Sequence, residues 1–143
     1  MKIALSLSFL LLSTFALAQT PIREYRQANE HRLLGEFVRF LSLPNVASDT
    51  TNIRRNADYL VAEMQNRGLK SRLLEALDRK VPPVAYGEWM TPGATKTVVF
   101  YAHYDGQPVD PKQWSTDPWK PTLYSAPMEK SGAALAFPRP DRS

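Results

Sequence analysis

The sequence predicts an α/β domain, because two long segments with apolar residues at helical spacing precede three short segments of strand-like composition. The order of these elements is helix, helix, strand, strand, strand. A layered α/β domain, or the first half of one, is the arrangement that this order favours. A length of 143 residues allows one domain at most, and 43% hydrophobic with 22% charged residues is typical of a globular protein.

The first eighteen residues predict a secretory signal peptide rather than a part of this domain. Lys2 gives a positive start, residues 3–15 form an apolar core, and Ala16-Leu17-Ala18 is a cleavage site of the small-x-small type. A membrane anchor or a buried helix is the alternative, but the apolar stretch is shorter than the roughly 20 residues that span a bilayer. We therefore expect a secreted or periplasmic protein that meets a membrane only during export.

The first helix of the domain is predicted from Pro21 to about Ser42. Apolar residues recur at helical spacing in this segment, proline suits a first-turn position, and Pro44 stops the run. His31 lies on this helix between charged neighbours, which favours a solvent-exposed face over a role as a ligand.

The second helix is predicted to end at about Arg67. Any one of three residues at its start can act as the N-cap of this helix. Gly68 can take the left-handed position that follows its last turn. The candidate caps are Asp49, Thr50 and Thr51, and the predicted core face consists of Ile53, Ala57, Leu60, Val61 and Met64.

Three strands are predicted after the second helix. Residues 69–76 alternate moderately and fit an edge or second strand, and residues 84–90 fit another. The sequence Thr-Pro-Gly-Ala at residues 91–94 predicts a turn that returns the chain into the third strand, Thr97 to Ala102. Because this third segment is β-branched and aromatic, we expect it to be a largely buried strand.

The composition changes after residue 106. Seven of the twelve prolines fall between Pro108 and Pro140, together with Trp114, Trp119 and Tyr124. This composition predicts a loop that packs through aromatic rings and contains no further helix. Residues 107–109 and Trp114 could shape a substrate cleft or could cover the edge of the sheet, and the sequence leaves both interpretations open.

His103 and Asp105 stand at the end of the third predicted strand. Side chains two residues apart on a strand project to the same side, so this imidazole and this carboxylate can act as a pair. A histidine that ligates a metal needs its second ring N–H held by an acceptor, and Asp105 is placed to accept it. A histidine that is hydrogen-bonded for structural reasons alone is the alternative that the spacing leaves open.

The string His-Tyr-Asp-Gly-Gln-Pro-Val-Asp-Pro, which begins at His103, resembles the first metal-ligand segment of the zinc aminoacylase/carboxypeptidase family. This family includes glutamate carboxypeptidase, acetylornithine deacetylase and the carnosine-type dipeptidases. The following Trp114 and the Pro-Trp-Lys-Pro element make the dipeptidase branch the most similar one. The resemblance extends upstream to Tyr25. It implies that residues 19–106 are the N-terminal part of a zinc-exopeptidase-like catalytic domain with an incomplete sheet, and that residues 107–143 are a loop and a truncated tail.

The function that this resemblance implies is metal-assisted hydrolysis of an amide bond in a peptide or N-acyl amino acid, with two zinc ions. His103 would be a metal ligand, and Asp105 would be the catalytic residue that orients it. The bridging Asp, the Glu-Glu pair and the distant His of the family have no counterpart here. We therefore expect at most a partial zinc site and an N-terminal fragment that is inactive alone. A small secreted binding module without catalytic activity is the alternative function.

Charge and cysteine content argue against two other classes of protein. The net charge is +4, but the basic residues are scattered rather than gathered on one stripe, so no nucleic-acid partner is expected. The sequence contains no cysteine, which excludes a fold held together by disulfides.

Overall fold

The computed structural model describes residues 2–78 and 80–135, with side chains described from residue 21 onward. The chain divides into two compact units, whose described parts are residues 2–37 and residues 38–78 with 80–135. In chain order, the described elements are two α-helices, one antiparallel strand pair and a second, very short one. Helices followed by small sheets agree with the predicted α/β class.

Helix α1 spans Lys2–Leu41, so it begins well before its predicted start. Pro21 lies inside this helix rather than at its first turn, and the prediction that it starts the helix is wrong. The backbone of residues 2–20 is helical, whereas the side chains of the predicted signal peptide lie outside the described ones. Within residues 21–78 and 80–135, where side chains are described, no helix combines the length and the apolarity needed to cross a membrane.

Helix α2 spans Thr50–Asn66, as the sequence predicts. Of the three candidate caps it is Asp49 whose carboxylate accepts a hydrogen bond from the backbone N–H of Asn52, at 3.0 Å. This bond satisfies one of the N–H groups that a helix start leaves without an intrahelical partner. Gly68 follows the helix with φ of +83°, the left-handed conformation that glycine adopts without steric cost.

The core of the second unit lies between α2 and an antiparallel pair of strands, β1 (Lys70–Leu74) and β2 (Val84–Glu88). Ile53 and Ala57 are 2% and 0% exposed, and the other predicted core residues of α2 are partly buried. A Cβ at Gly87 would lie 2.5 Å from the sulfur of Met64, so glycine at this position lets the helix pack against β2. Both strands were predicted.

The third predicted strand is the main departure from expectation. Residues 97–102 form no strand, and the side chains from Val98 to Tyr101 are 73–93% exposed. The prediction of a buried strand is therefore wrong for the described structure. Apolar and β-branched composition favours strand geometry, but a strand also needs neighbours for its N–H and C=O groups. Among the described residues this segment gains such a neighbour only beyond its end, where Gly106 forms an isolated parallel bridge with Val46.

The segment after residue 106 contains no α-helix within its described part, which ends at residue 135. It contains two 3₁₀ turns, Pro111–Gln113 and Met128–Lys130, and a short antiparallel pair of strands, β3 (Leu123–Tyr124) and β4 (Ala134–Leu135). The sequence predicted the loop character but not the strand pair. The remaining residues of the predicted tail, 136–143, lie outside the described ones.

Candidate metal centre

His103 and Asp105 lie on the same side of the backbone and contact each other, as their spacing predicts. Nδ1 of His103 is 2.9 Å from the backbone carbonyl oxygen of Asp105 and 3.3 Å from its carboxylate Oδ1. The pair forms although the segment that leads into it is not a strand. A regular strand is therefore not required to bring His103 and Asp105 together.

The two contacts assign the tautomer of His103. Both oxygens of Asp105 are acceptors, so a neutral imidazole satisfies them only when Nδ1 carries the hydrogen and donates it. Nε2 then keeps its lone pair, which is the form in which a histidine ligates a metal. An imidazole held in this way is already in the tautomer that can ligate a metal through Nε2.

Both side chains of the pair are open to solvent. The side chain of His103 is 76% exposed and that of Asp105 is 48% exposed, so water screens the interaction between them. An exposed Nε2 can be reached by a metal ion or by further ligands. The low burial also means that the pair adds little to the stability of the fold.

The residues that alternate with the pair face the protein and hold it. The hydroxyl of Tyr104 donates to the carbonyl oxygen of Pro83, in the connection between β1 and β2. The N–H of Gly106 donates to the carbonyl oxygen of Asn45 at 2.8 Å. Partial burial, followed by the nearby Asp105 carboxylate, raises the pKa of Tyr104 above its usual value. This phenol is therefore neutral at physiological pH and can act as a donor.

A catalytic zinc ion needs about three protein ligands and an open position for water. His103 fits one of these positions, and Asp105 fits the role of its carboxylate partner. Within residues 2–78 and 80–135, no group of three or more His, Cys, Asp or Glu side chains could hold a metal ion. The described residues thus fit part of a metal site and not a complete one.

Trp114 does not join residues 107–109 in a common cleft. It lines a groove of about 290 Å³ that is formed within residues 113–128, together with Pro118, Tyr124 and Met128. None of residues 107–109 and neither member of the His103–Asp105 pair lines this groove. Of the residues that the sequence offered for a cleft, Trp114 alone lines this groove.

Asn45 and Asn56 were not singled out by the sequence. Asn45 contacts Tyr104 and Gly106, and the buried Asn56 donates hydrogen bonds to the carbonyl oxygens of Pro44 and Asn52. The available signals were an Asn beside a proline after a helix and an Asn inside a helix. Both indicate an amide that bonds to backbone, but neither reveals which backbone it meets.

The chain is similar to two fungal proteins. It is 31% identical over 96 residues to the Cys-Gly metallodipeptidase of Schizosaccharomyces pombe. This alignment covers 59% of this chain and 20% of that protein. It is 29% identical over 93 residues to the Cys-Gly metallodipeptidase of Candida albicans. This second alignment covers 55% of this chain and 19% of that protein. The chain thus spans about a fifth of the length of these curated relatives.

No protein-family model and no solved structure matches the chain. The two relatives support a metallopeptidase family, and their names imply a metal cofactor without identifying the metal. Both relatives are named as dipeptidases. This agrees with the metallopeptidase resemblance noted in the sequence.

Proposed function

We propose that this chain contributes the first metal-ligand segment of a dipeptidase-like metallopeptidase. His103 is the metal ligand, through Nε2, and Asp105 orients it by accepting from Nδ1. The observation that carries the proposal is the pair of contacts from Nδ1 to Asp105, at 2.9 and 3.3 Å, which leave Nε2 free to ligate. The two metallodipeptidase relatives support the metallopeptidase family, and the roles of the two residues rest on the contacts alone.

Zinc is the metal that we propose, because imidazole and carboxylate are among its usual ligands. When bound, zinc polarises a scissile carbonyl and activates a water molecule. The part of this chemistry that the described residues supply is the preset Nε2 and the carboxylate that keeps Nδ1 protonated. We propose two ions for a complete site and a peptide or N-acyl amino acid as its substrate.

We further propose that the chain has no hydrolytic activity alone. One histidine and one carboxylate leave zinc short of the ligands that a catalytic site needs. Cys-Gly is the substrate to test first, since the two relatives are named for it. Hydrolysis of Cys-Gly by the purified chain, with zinc, cobalt or manganese added, would contradict this proposal.

Zinc binding itself can be tested by titrating the purified chain with Zn²⁺ and following the imidazole signals by NMR. The chain contains two histidines, which provides a matched pair of variants. We expect the His103 signals to shift with zinc, His31→Ala to bind as the wild type does, and His103→Ala to lose the response. An equal loss in both variants, or no response of His103 in the wild type, would overturn the ligand assignment.

We also propose export through a signal peptide at residues 1–18. A charged start, an apolar core and the Ala16-Leu17-Ala18 site support this proposal. N-terminal sequencing of the protein recovered from an exporting bacterial host should find Gln19 as the first residue. Recovery of a chain that still begins with Met1 would contradict cleavage.

A small secreted binding module is the second candidate function. The exposure of Val98 to Tyr101 favours it, because a contiguous apolar surface on a soluble protein often marks an interaction site. A mature chain that unfolds cooperatively and remains monomeric without metal would support this function. A mature chain that folds only with zinc would instead support the metallopeptidase proposal.

A further inference from the structure

Asn45 is bonded to both peptide groups that flank Asp105. Its carbonyl oxygen accepts from the N–H of Gly106 at 2.8 Å, and its side-chain amide nitrogen Nδ2 donates to the carbonyl oxygen of Tyr104 at 3.3 Å. The first bond holds the plane of the peptide that joins Asp105 to Gly106. The second holds the plane of the peptide that joins Tyr104 to Asp105.

The first of these peptide groups includes the carbonyl that contacts His103. A trans peptide is planar, with its N–H and C=O pointing in opposite directions. When Asn45 holds the N–H of Gly106, the carbonyl of Asp105 is turned the other way, where Nδ1 of His103 meets it at 2.9 Å. The orientation of the carbonyl that contacts His103 is therefore coupled to the backbone bond on the opposite side of the same peptide, and the side-chain bond from Asn45 to Tyr104 holds the neighbouring peptide.

The contact between Asn45 and Gly106 leaves no space for a larger residue. A Cβ at position 106 would lie 2.6 Å from Oδ1 of Asn45, well inside the normal contact distance. The same site lies at the parallel bridge between Val46 and Gly106. The bridge shows that the two backbones approach each other closely, and the first distance shows that the Asn45 side chain lies against Gly106.

Asn45 is itself held from α2. The side-chain nitrogen of Asn56 donates to the carbonyl oxygen of Pro44 at 2.7 Å and to that of Asn52 at 2.9 Å. Asn56 is only 1% exposed, and within the described residues its Oδ1 accepts no hydrogen bond. A buried amide with an unsatisfied oxygen is costly, so its two donated bonds must stabilise this arrangement. The loop at residues 44–46 is therefore fixed to the buried part of α2.

We propose that Asn45 is a positioning residue for the His103–Asp105 pair and that Asn56 supports it. Asn45 sets the backbone conformation of Asp105 and so keeps hydrogen on Nδ1 of His103 and the lone pair on Nε2. The effect on metal binding rests on the function proposed above. The effect on the tautomer does not, because it concerns the protein without metal.

The tautomer can be measured directly in the whole chain, with ¹⁵N-labelled histidine and long-range ¹H–¹⁵N correlation spectra of the imidazole rings. We expect His103 in the wild type to be mainly the Nδ1–H form. Both variants keep the backbone bond to Gly106 and test the side-chain bond to Tyr104: Asn45→Ala removes it, and Asn45→Asp keeps the shape but replaces the donor with an acceptor. Each should change the tautomer ratio of His103 about fivefold, the equivalent of one hydrogen bond of about 1 kcal/mol.

His31 and Asn66→Ala are the controls. The His31 signals should stay unchanged in every variant, and Asn66→Ala, at the exposed end of α2, should leave the His103 ratio as it is in the wild type. An unchanged His103 ratio in both Asn45 variants would overturn the proposal. So would a wild type in which His103 is mainly the Nε2–H form.

One measurement on the wild type covers the case in which the variants do not fold. The Asn45 side-chain amide protons should show nuclear Overhauser effects to Tyr104 and Asp105, and their absence would overturn the proposal without any variant. Zinc titration separates the two proposals. If Asn45 variants shift the tautomer while zinc leaves His103 unchanged in the wild type, Asn45 positions the pair and the metal-ligand function fails.

Discussion

The α2–β1–β2 region and the segment at residues 97–102 are both apolar in sequence, yet they meet opposite environments. In the first region, Ile53 and Ala57 are almost fully buried between one helix and two strands. In the second, Phe100 and Tyr101 are 93% and 90% exposed. The site residues His103 and Asp105 follow directly after the exposed segment and not after the buried region.

The two regions differ in whether neighbouring segments pack against them or pair with them. Helix α2 is followed at once by β1, and β2 pairs with β1 in a simple antiparallel register from Lys70 opposite Glu88 to Leu74 opposite Val84. These contacts are local in sequence, so each element of the region finds its packing and hydrogen-bonding partners nearby in the chain. Among the described residues, no strand lies beside residues 97–102. Apolar composition alone therefore does not bury a segment.

The largest expected effect is the difference in the free energy of unfolding between a substitution in the first region and one in the second. Ile53→Ala removes a buried side chain and should lower the free energy of unfolding by about 3 kcal/mol. Val99→Ala, at a position that is 82% exposed, should change it by less than about 0.5 kcal/mol. Urea denaturation followed by circular dichroism measures both values. A similar loss in both variants would show that residues 97–102 are buried in solution.

The next effect concerns the link between α2 and the loop at residues 44–46. Asn56→Ala removes the hydrogen bond that joins α2 to Pro44 and a second one to Asn52 within the helix, and we expect the free energy of unfolding to fall by about 2 kcal/mol. Thermal unfolding measures the loss. Asn66→Ala, an exposed asparagine of the same helix, is the matched control and should be nearly neutral. If the two variants are equally stable, Asn56 does not anchor the loop.

A third effect concerns association through the exposed segment. Six residues of high β-propensity without charge or proline are prone to pair with other chains. Phe100→Lys should weaken self-association about tenfold, because burying a phenylalanine is worth roughly 1.5–3 kcal/mol. Leu77→Lys changes an equally exposed apolar residue outside the segment and should have little effect. Sedimentation velocity measures both, and equal effects would show that association is not specific to residues 97–102.

The smallest effect is a pH dependence within the buried region. The backbone N–H of Asn52, followed by its side-chain amide, lowers the pKa of Asp49. A carboxyl whose pKa is lower in the folded state stabilises the fold above its unfolded pKa of about 3.9, and this contribution is lost as the pH falls through the folded pKa. Asn is also a good N-cap, so Asp49→Asn should match the wild type at pH 7 and lose less stability between pH 5 and 3.

Urea midpoints at three pH values test this expectation. The wild type and Asp49→Asn should have equal midpoints at pH 7 and separate as the pH falls toward 3, with the wild type becoming the less stable of the two. An acid-induced loss of the same size in both proteins would assign the pH dependence to other carboxyls. Asp117 is one such group, because the backbone N–H of Trp119, followed by Lys120, lowers its pKa as well.

Structural features that depend on residues a few positions apart could be predicted from the sequence. The cap at Asp49, the helix to Asn66, the left-handed Gly68 and the two strands β1 and β2 all follow from local patterns. The turn at residues 91–94 belongs to this group, since the N–H of Ala94 donates to the carbonyl oxygen of Thr91 at 3.1 Å. The His103–Asp105 contact does too, because a spacing of two residues decides it.

The sequence by itself thus determined the order of the first four elements and the pairing of an imidazole with a carboxylate, because both follow from backbone periodicity over a few residues. Only the tertiary structure decided which apolar segment is buried and what holds the pair in place. Burial needs a partner surface, and the bonds from Asn45 to Tyr104 and Gly106 join residues about sixty positions apart. No local pattern encodes such a contact, since it depends on where the intervening helix and strands place the two segments.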